Sequence, residues 1–418
     1  MQNMTYNLQN DRAIRISGSK SILQRLLTML CVSSAEILVK NWNDCRDVSE
    51  MCACLVQSGF SFSRLNHSEM MIKAPLGIAN NAQYNIAYSA TALRLWMVNR
   101  ASNENIFSTI RSSKELCSRP HQPLIDVLNR MGAGVCYAKN SFRIRGAKLR
   151  GGQLSLPTNI SSQYHTAIAI NAPLWERDTL LEFSSEQVSA AYLDLTLKMM
   201  ARMGAGLDRY AKGVLINSGT AYTFPKEIFV EPDWSSIATL LVWGSIPGHK
   251  LSILVNYESS LHPDRGIVDI LRELGAILHV DDTSVSIVGD RLKGGFFDCS
   301  NNPDLVPNLA ILGIYCEAKL SLAGIDHLRH KESNRIDAII KALIQLGVTY
   351  HYDSGTLDIF PCRAVNAHGV LNTYNDHRMA MAFVLLKQII PQLKISETSS
   401  IQKSFPEFFT IMTQLTSS

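Results

Sequence analysis

Apolar positions along this chain fall into two rhythms. Short stretches alternate at every second residue, as in Gln153-Leu154-Ser155-Leu156 and Leu251-Ser252-Ile253-Leu254, which predicts strands with one buried face. Longer stretches repeat at every third or fourth residue and stop at a glycine. They are Leu55 to Gly59, Leu128 to Gly132, Met200 to Gly204, Leu271 to Gly275 and Leu343 to Gly347. Glycine enters the left-handed conformation that closes a helix without steric cost, so each of these reads as a helix end. The spacing carries the information: Gly59, Gly132, Gly204, Gly275 and Gly347 lie 71 to 73 residues apart. A sixth period runs to the C-terminus, where Phe408, Phe409, Met412 and Leu415 keep a helical pattern.

A second series has the same period. Small polar residues precede apolar helical runs at Ser19-Lys20-Ser21, Ser89-Ala90-Thr91, Ser161-Ser162-Gln163, Ser235-Ser236, Asp304 and Asn375-Asp376. These are the residue types that cap helix starts. Each period therefore predicts two helices set between strands, repeated six times. Six such units exceed one core, so the expected architecture is α/β with two domains of three units each. The expected crossings near residues 15–18 and 227–231 put residues 18–228 in one domain, and residues 1–17 with 229–418 in the other.

Composition narrows the class. A length of 418 residues and 46% hydrophobic content are those of an ordinary globular chain. A net charge of +4 without a long Lys/Arg run argues against a nucleic-acid binder, so any basic feature must be a local pocket. The nine cysteines include no CxxC pair, and Cys52 and Cys54 are too close for the usual metal spacing. They read as reduced thiols with no zinc site. The start, MQNMTYNLQND, is too polar for a signal peptide, and the apolar run Ile237 to Trp243 is too short to span a bilayer. A soluble cytoplasmic protein with no membrane partner is expected.

Charge is sparse, yet His330-Lys331-Glu332-Ser333-Asn334-Arg335 concentrates it just before the helical run Ile336, Ile339, Ile340, Leu343. Lys and Arg in a first turn oppose the helix dipole, a conflict that a bound anion relieves. Glu332 is then a carboxylate among cations, placed to move a proton. The plainer alternative is a solvated first turn. The other helix starts bear on that choice. Lys20 and Arg25 flank the first, in a Ser-Gly-Ser-Lys-Ser setting that is not a P-loop. Arg94 lies one turn into the second, where a surface position is equally open. Arg119 precedes Pro120, and Ser161-Ser162-Gln163 is neutral and rich in donors. Asp304 taken alone reads as an N-cap. His377 and Arg378 enter a buried helix, and Lys403 precedes Phe405-Pro406. A cationic nest holding two acids, Asp304 and Glu332, suits a substrate set with several anionic groups and proton transfer. No Ser or Cys has an evident His partner for nucleophilic catalysis.

In order and spacing these residues resemble the 5-enolpyruvylshikimate-3-phosphate (EPSP) synthases of the enolpyruvyl transferase family. The resemblance covers nearly the whole chain. It rests on Ser17-Gly18-Ser19-Lys20-Ser21 with Arg25, on Ser161-Ser162-Gln163, and on Lys331-Glu332 with Arg335. The most specific match is Tyr374-Asn375-Asp376-His377-Arg378-Met379-Ala380. It implies a two-domain inside-out α/β barrel of βαβαββ units. It also implies a reaction: the 5-hydroxyl of shikimate 3-phosphate attacks C2 of phosphoenolpyruvate (PEP), C3 gains a proton, and phosphate leaves. By the same resemblance Asp304 is the base, and Glu332 the acid with Lys20. Lys20, Arg119, Gln163 and Lys403 hold the PEP phosphate, and Arg335 and Arg378 its carboxylate. Ser21 and Arg25 take the shikimate carboxylate, and Ser161, Ser162 and Ser189 the 3-phosphate. Gln163, Tyr192, Lys331 and His327 stand beside the ring. No metal or organic cofactor and no second copy of the chain are implied.

The departures matter as well. Ala87-Tyr88-Ser89-Ala90-Thr91-Ala92-Leu93-Arg94 stands where the family usually has Gly-Asn-Ala-Gly-Thr-Ala-Met-Arg. Ala90 adds a methyl group at the border of the PEP pocket, and Tyr88 replaces a small polar residue. Weakened inhibition by glyphosate, which is larger than PEP, is expected. Two rivals remain open on sequence. One is the sister transferase acting on UDP-N-acetylglucosamine, which uses a reactive Cys shortly before an Arg. Cys117 lies two residues before Arg119, but that spacing is wrong and the Ser-Ser-Gln and Asn-Asp-His-Arg signatures favour shikimate, so Cys117 reads as incidental. The other is a non-catalytic anion-binding relative.

Overall fold

The computed structural model describes residues 13–31, 33, 35–75, 82–183 and 187–416. The polar start read above as lacking a signal peptide, residues 1–12, lies outside them.

The second unit shows the plan. Strand Ala82–Asn85, helix Ala90–Ala101, strand Phe107–Arg111 and helix Gln122–Arg130 are followed by the hairpin Gly134–Tyr137 and Ser141–Arg145. The first two strands pair in parallel, and the hairpin's last strand then pairs antiparallel with the second, Phe107 opposite Arg145. Two other four-stranded sheets repeat this order, one over Gly152–Ile216 and one over Gly295–Ile359. The unit is therefore βαβαββ, one strand longer than the alternation alone suggested. Among the described residues the sixth is shorter, with the two-stranded sheet of Val370–Leu371 and Lys394–Ile395 followed by helix Phe408–Thr416 and no hairpin after it.

The expected punctuation is largely present. All five period-marking glycines have positive φ, from 71° at Gly347 to 105° at Gly132. Ser89 caps its helix by accepting the Ala92 N–H, and Asp376 caps another by accepting that of Arg378. Two starts differ. The fourth unit's helix, Trp234–Gly244, begins after Asp233, two residues before the expected Ser235-Ser236. Helix Val306–Tyr315 begins after Leu305, so Asp304 precedes the cap and does not cap it.

The helices form the interior and the sheets the outer wall. Every residue of Trp234–Gly244 is buried, as are nine of the ten in Val306–Tyr315. A helix apolar on all sides must be surrounded. Strands such as Phe107–Arg111 instead bury alternate residues and show the others to water. Burial falls into two cores. The upper holds residues from Ile22 to Val230; the lower holds Ile16 and residues from Trp234 to Met412.

The chain passes between the cores twice, and the leading strands are exchanged there. Glu227–Phe229 pairs in parallel with Leu38–Lys40 of the upper core. Ile14 bridges in parallel to Ile253 of the lower one. The two passages lie side by side, with Ser19 N–H donating to Glu231 O at 2.9 Å and Asp233 N–H to Ser17 O at 3.0 Å. Gly18 is required at this crossing, since a Cβ there would stand 2.1 Å from Asn41 O.

Candidate active site

Starts of buried helices from both cores meet in one cleft between them, that of Trp234–Gly244 not among its lining. Its upper wall carries Lys20, Ser21 and Arg25 from the first helix and Ala90 from the second. Ser161, Ser162 and Gln163 open the third, and Ser189 and Tyr192 open helix Ala190–Arg202. The lower wall carries Asp304, Lys331, Glu332 and Arg335, with Arg119 reaching down from above. Arg378 and Lys403 reach the cleft through the acids they bind. His327 is buried and is not part of the cleft lining.

The lower wall is a network of ion pairs. Arg335 is 1% exposed and joins three carboxylates: Nη1 to Asp304 Oδ1 at 2.8 Å, Nη2 to Glu332 Oε2 at 3.0 Å, and Nε to Asp376 Oδ2 at 2.8 Å. Asp304 also accepts from Arg378 Nη2 at 3.2 Å, and Glu332 from Lys403 Nζ at 2.9 Å. Glu332 Oε1 lies 3.4 Å from Arg119 Nη1, a contact between the two cores. Burial alone would raise both acids; the cations overcome it. Arg378 and Arg335 hold Asp304 well below the ordinary carboxylate range, and Lys403, Arg119 and Arg335 do so for Glu332.

Three expectations change here. Lys331 and Glu332 are not in a helical first turn. A 3₁₀ turn ends at His330, and the helix opens at Arg335 behind an Asn334 cap with Asp337 in its first turn. The conflict with the dipole is thus confined to Arg335, whose charge three acids neutralise. Asp304 is an ion-pair partner rather than a cap. Arg94 is buried, donating to Gln163 Oε1 at 2.7 Å, Ser161 Oγ at 3.2 Å and Pro120 O at 3.0 Å. It orients the donor-rich segment.

Burial also tunes the remaining groups. Burial lowers the Lys331 ammonium to about 8, with Arg335 and Arg119 adding to it against the opposing pull of Asp304. Lys20 behaves oppositely. Burial would lower it, but Asp47 at 2.8 Å raises it above the ordinary lysine value. Burial and Lys331 push His327 down to about 3, so this ring is neutral. Cys117, the candidate reactive thiol of the rival transferase, is raised by burial, with its hydrogen bond to Tyr137 opposing. That is the reverse of an activated nucleophile. Among the described residues no three His, Cys, Asp or Glu side chains converge as metal ligands.

Sequence reasoning gave no site role to Asp47 or Asp376, and missed Asp264. Tyr192 Oη donates to Asp264 Oδ2 of the lower core at 3.0 Å. Each acts by holding a recognised residue, and short carboxylates at helix starts carry no signal that separates this from capping.

The family model for EPSP synthase (3-phosphoshikimate 1-carboxyvinyltransferase) matches residues 9–412. The chain belongs to the EPSP synthase family. It is an enolpyruvyl transferase that moves the enolpyruvyl group of PEP to shikimate 3-phosphate, on the route to aromatic amino acids. Similarity to curated relatives runs along nearly the whole of both chains. The 3-phosphoshikimate 1-carboxyvinyltransferase of Pasteurella multocida is 29% identical, over 96% of this chain and 95% of its own. That of Buchnera aphidicola is also 29% identical, over 95% and 93%. In fold the chain is similar to an EPSP synthase from Acinetobacter baumannii, with TM-score 0.77, 21% identity and coverage of 97% and 95%. The enolpyruvyl transferase NikO from Streptomyces tendae has TM-score 0.74, 16% identity and coverage of 97% and 94%. The architecture is thus the two-domain inside-out α/β barrel of EPSP synthases.

Proposed function

We propose that the cleft performs enolpyruvyl transfer with Asp304 and Glu332 as its proton-moving groups. The observation that carries this reading is their sharing of one guanidinium: Arg335 binds Asp304 and Glu332 at 2.8 and 3.0 Å. PEP brings a phosphate for Lys20, Arg119, Gln163 and Lys403, and a carboxylate for Arg335 and Arg378. Of these, Arg378 and Arg335 now hold Asp304 ionised, and Lys403, Arg119 and Arg335 hold Glu332. Sharing them with PEP weakens that hold, so both carboxyl pKa values rise when substrate binds. Asp304 becomes a better base and Glu332 becomes able to carry a proton.

Asp304 takes the proton of the 5-hydroxyl as its oxygen bonds to C2, and Glu332, with Lys20 beside it, delivers a proton to C3. The C2–O bond to phosphate then breaks, and C3 returns a proton so that the product regains its double bond. Ser21 and Arg25 hold the shikimate carboxylate. Ser161, Ser162, Gln163 and Ser189 hold the 3-phosphate, with Tyr192, Lys331 and His327 about the ring. Ala90 borders PEP.

We treat residues 18–228 as one domain and the rest as the other, closing on the first substrate. Contacts of Arg119 with Glu332, Tyr192 with Asp264, and Ser189 N–H with Ser300 O at 2.8 Å suit the closed form. All cleft residues come from one chain, so the reading requires no second copy. Nine free cysteines fit a reducing, cytoplasmic setting. The test is phosphate release from PEP with and without shikimate 3-phosphate, in the wild type, Asp304→Ala and Glu332→Ala. Release that depends on both substrates and collapses in both variants is expected; unchanged rates in the variants would remove the assignment.

A further inference from the structure

Glu50 has no part in the roles above. It lies on helix Arg46–Gln57, one turn beyond Asp47, the acid that holds Lys20. Its carboxylate accepts from three successive backbone N–H groups. Oε1 takes Ala87 N–H at 3.0 Å and Tyr88 N–H at 3.1 Å; Oε2 takes Ser89 N–H at 3.0 Å and Tyr88 N–H at 3.2 Å. Three consecutive donors converging on one carboxylate make an anion nest within the protein. The next residue is Ala90, first in its helix and part of the cleft lining with Lys20 and Gln163.

The same helix grips this segment twice more. Arg46, one turn before Glu50 and on the same face, lays its guanidinium 4.9 Å from the centroid of the Tyr88 ring. Gln24 Nε2 joins Ser89 Oγ at 2.8 Å to Asp47 O at 2.9 Å. Burial raises the Glu50 carboxyl above its ordinary value while the Ser89 N–H opposes this. A carboxylate set partly out of water is costly unless donors meet it, and here backbone donors do.

We propose that Glu50, supported by Arg46 against Tyr88, is a positioning residue that fixes Ala90 and so sets the width of the PEP side of the cleft. It touches no substrate and acts through the backbone of residues 87–90. The donors assigned to shikimate 3-phosphate hang from other elements, Ser21 and Arg25 on helix Lys20–Leu30 and the 3-phosphate donors at the starts of helices Gln163–Asn171 and Ala190–Arg202. Its loss should therefore fall mainly on PEP. This inference rests on the reading of the cleft given above.

The experiment varies PEP and shikimate 3-phosphate in turn, measuring phosphate release by the wild type, Glu50→Gln and Glu50→Ala. Glu50→Ala is expected to raise KM for PEP about ten-fold while KM for shikimate 3-phosphate stays within about two-fold. Glu50→Gln keeps one carbonyl acceptor for Ala87 and Tyr88 and should fall between. If Glu50→Ala does not fold, Glu50→Gln, of nearly equal volume, decides. An active wild type whose Glu50→Gln variant shows an unmoved KM for PEP, or equal rises in both KM values, sinks this proposal alone. A wild type without turnover sinks the reading of the cleft and this proposal with it.

Discussion

On the upper wall, Arg25 and Arg94 are buried against neutral partners. Arg25 donates to Thr196 Oγ1 at 2.8 Å, Ser21 O at 2.7 Å and Tyr192 O at 3.2 Å, and Arg94 to an amide, a hydroxyl and a carbonyl. On the lower wall, Arg335 and Arg378 are buried against carboxylates. Burial lowers both upper guanidiniums to about 10. The lower pair is raised in spite of burial, by Asp376 and Glu332 for Arg335 and by Asp304 for Arg378. Arg25 and Arg94 thus keep charge that no carboxylate compensates, unlike Lys20, which Asp47 holds. Arg335 and Arg378 are already neutralised, so an anion entering beside them must displace an acid. On the function proposed above, one wall serves affinity and the other converts binding into a change of protonation.

The strongest challenge to this contrast comes from the acids. Asp304→Ala and Glu332→Ala should each lower kcat by roughly 10²- to 10⁴-fold, read by phosphate release; a change confined to KM would make the lower wall a binding surface like the upper. Asp376→Ala should come next, because it leaves buried Arg335 without the buried carboxylate that meets two of its nitrogens. A loss of about 3–5 kcal/mol in denaturant unfolding is expected, and a loss no larger than a surface pair's would show the network to be loose. Arg25→Gln should raise KM for shikimate 3-phosphate roughly 10- to 100-fold, as for one charged hydrogen bond, with a much smaller effect on kcat. An equal fall in kcat would give the upper wall a chemical role.

A pH series separates the walls more finely. Lys331 has its pKa lowered from 10.5 to about 8. Its charge is disfavoured in the fold, so its contribution to stability rises with pH between these values, where the unfolded chain binds more protons. Affinity for the anionic substrate moves the other way, as the ammonium is lost above about 8. KM for shikimate 3-phosphate should therefore climb through this range in the wild type and stay flat in Lys331→Gln. The smallest effect is expected at Ala90→Gly, with glyphosate inhibition becoming tighter and KM for PEP nearly unchanged. An inhibition curve of the wild type as steep as that of a glycine-bearing family member would mean that the Ala90 methyl does not narrow the pocket.

Much of the plan was legible because it is local. Gly59 through Gly347 mark helix ends through a backbone preference that needs no distant partner, and Ser161-Ser162-Gln163 announces a donor-rich helix start by residue type alone. Pairings set by the fold were not legible. Glu227–Phe229 adds to the sheet of Leu38–Lys40 across nearly the whole upper half, and periodicity holds no record of such a partner. At Asp233-Trp234-Ser235-Ser236 several cap-forming residues compete, and the backbone selects Asp233. Asp304 looked like a cap because its cations, Arg335 and Arg378, arrive from 31 and 74 residues away. Glu50 carries no motif; its meaning lies in the N–H groups of Ala87 to Ser89.

The exchanged leading strands make the two halves unequal as pieces of chain. The upper half is an insertion: it leaves the lower half at Ser17 and rejoins it at Asp233, where one hydrogen bond of 3.0 Å closes the gap. Excised between those points, it would keep every strand of its sheets, since Glu227–Phe229 travels with it. A fragment beginning at Asp233 would lose the segment at Ile14 that bridges to Ile253. The lower half therefore cannot be made by simple truncation. It needs the first residues of the described chain spliced back across the cut, while the upper half carries its own beginning at its end.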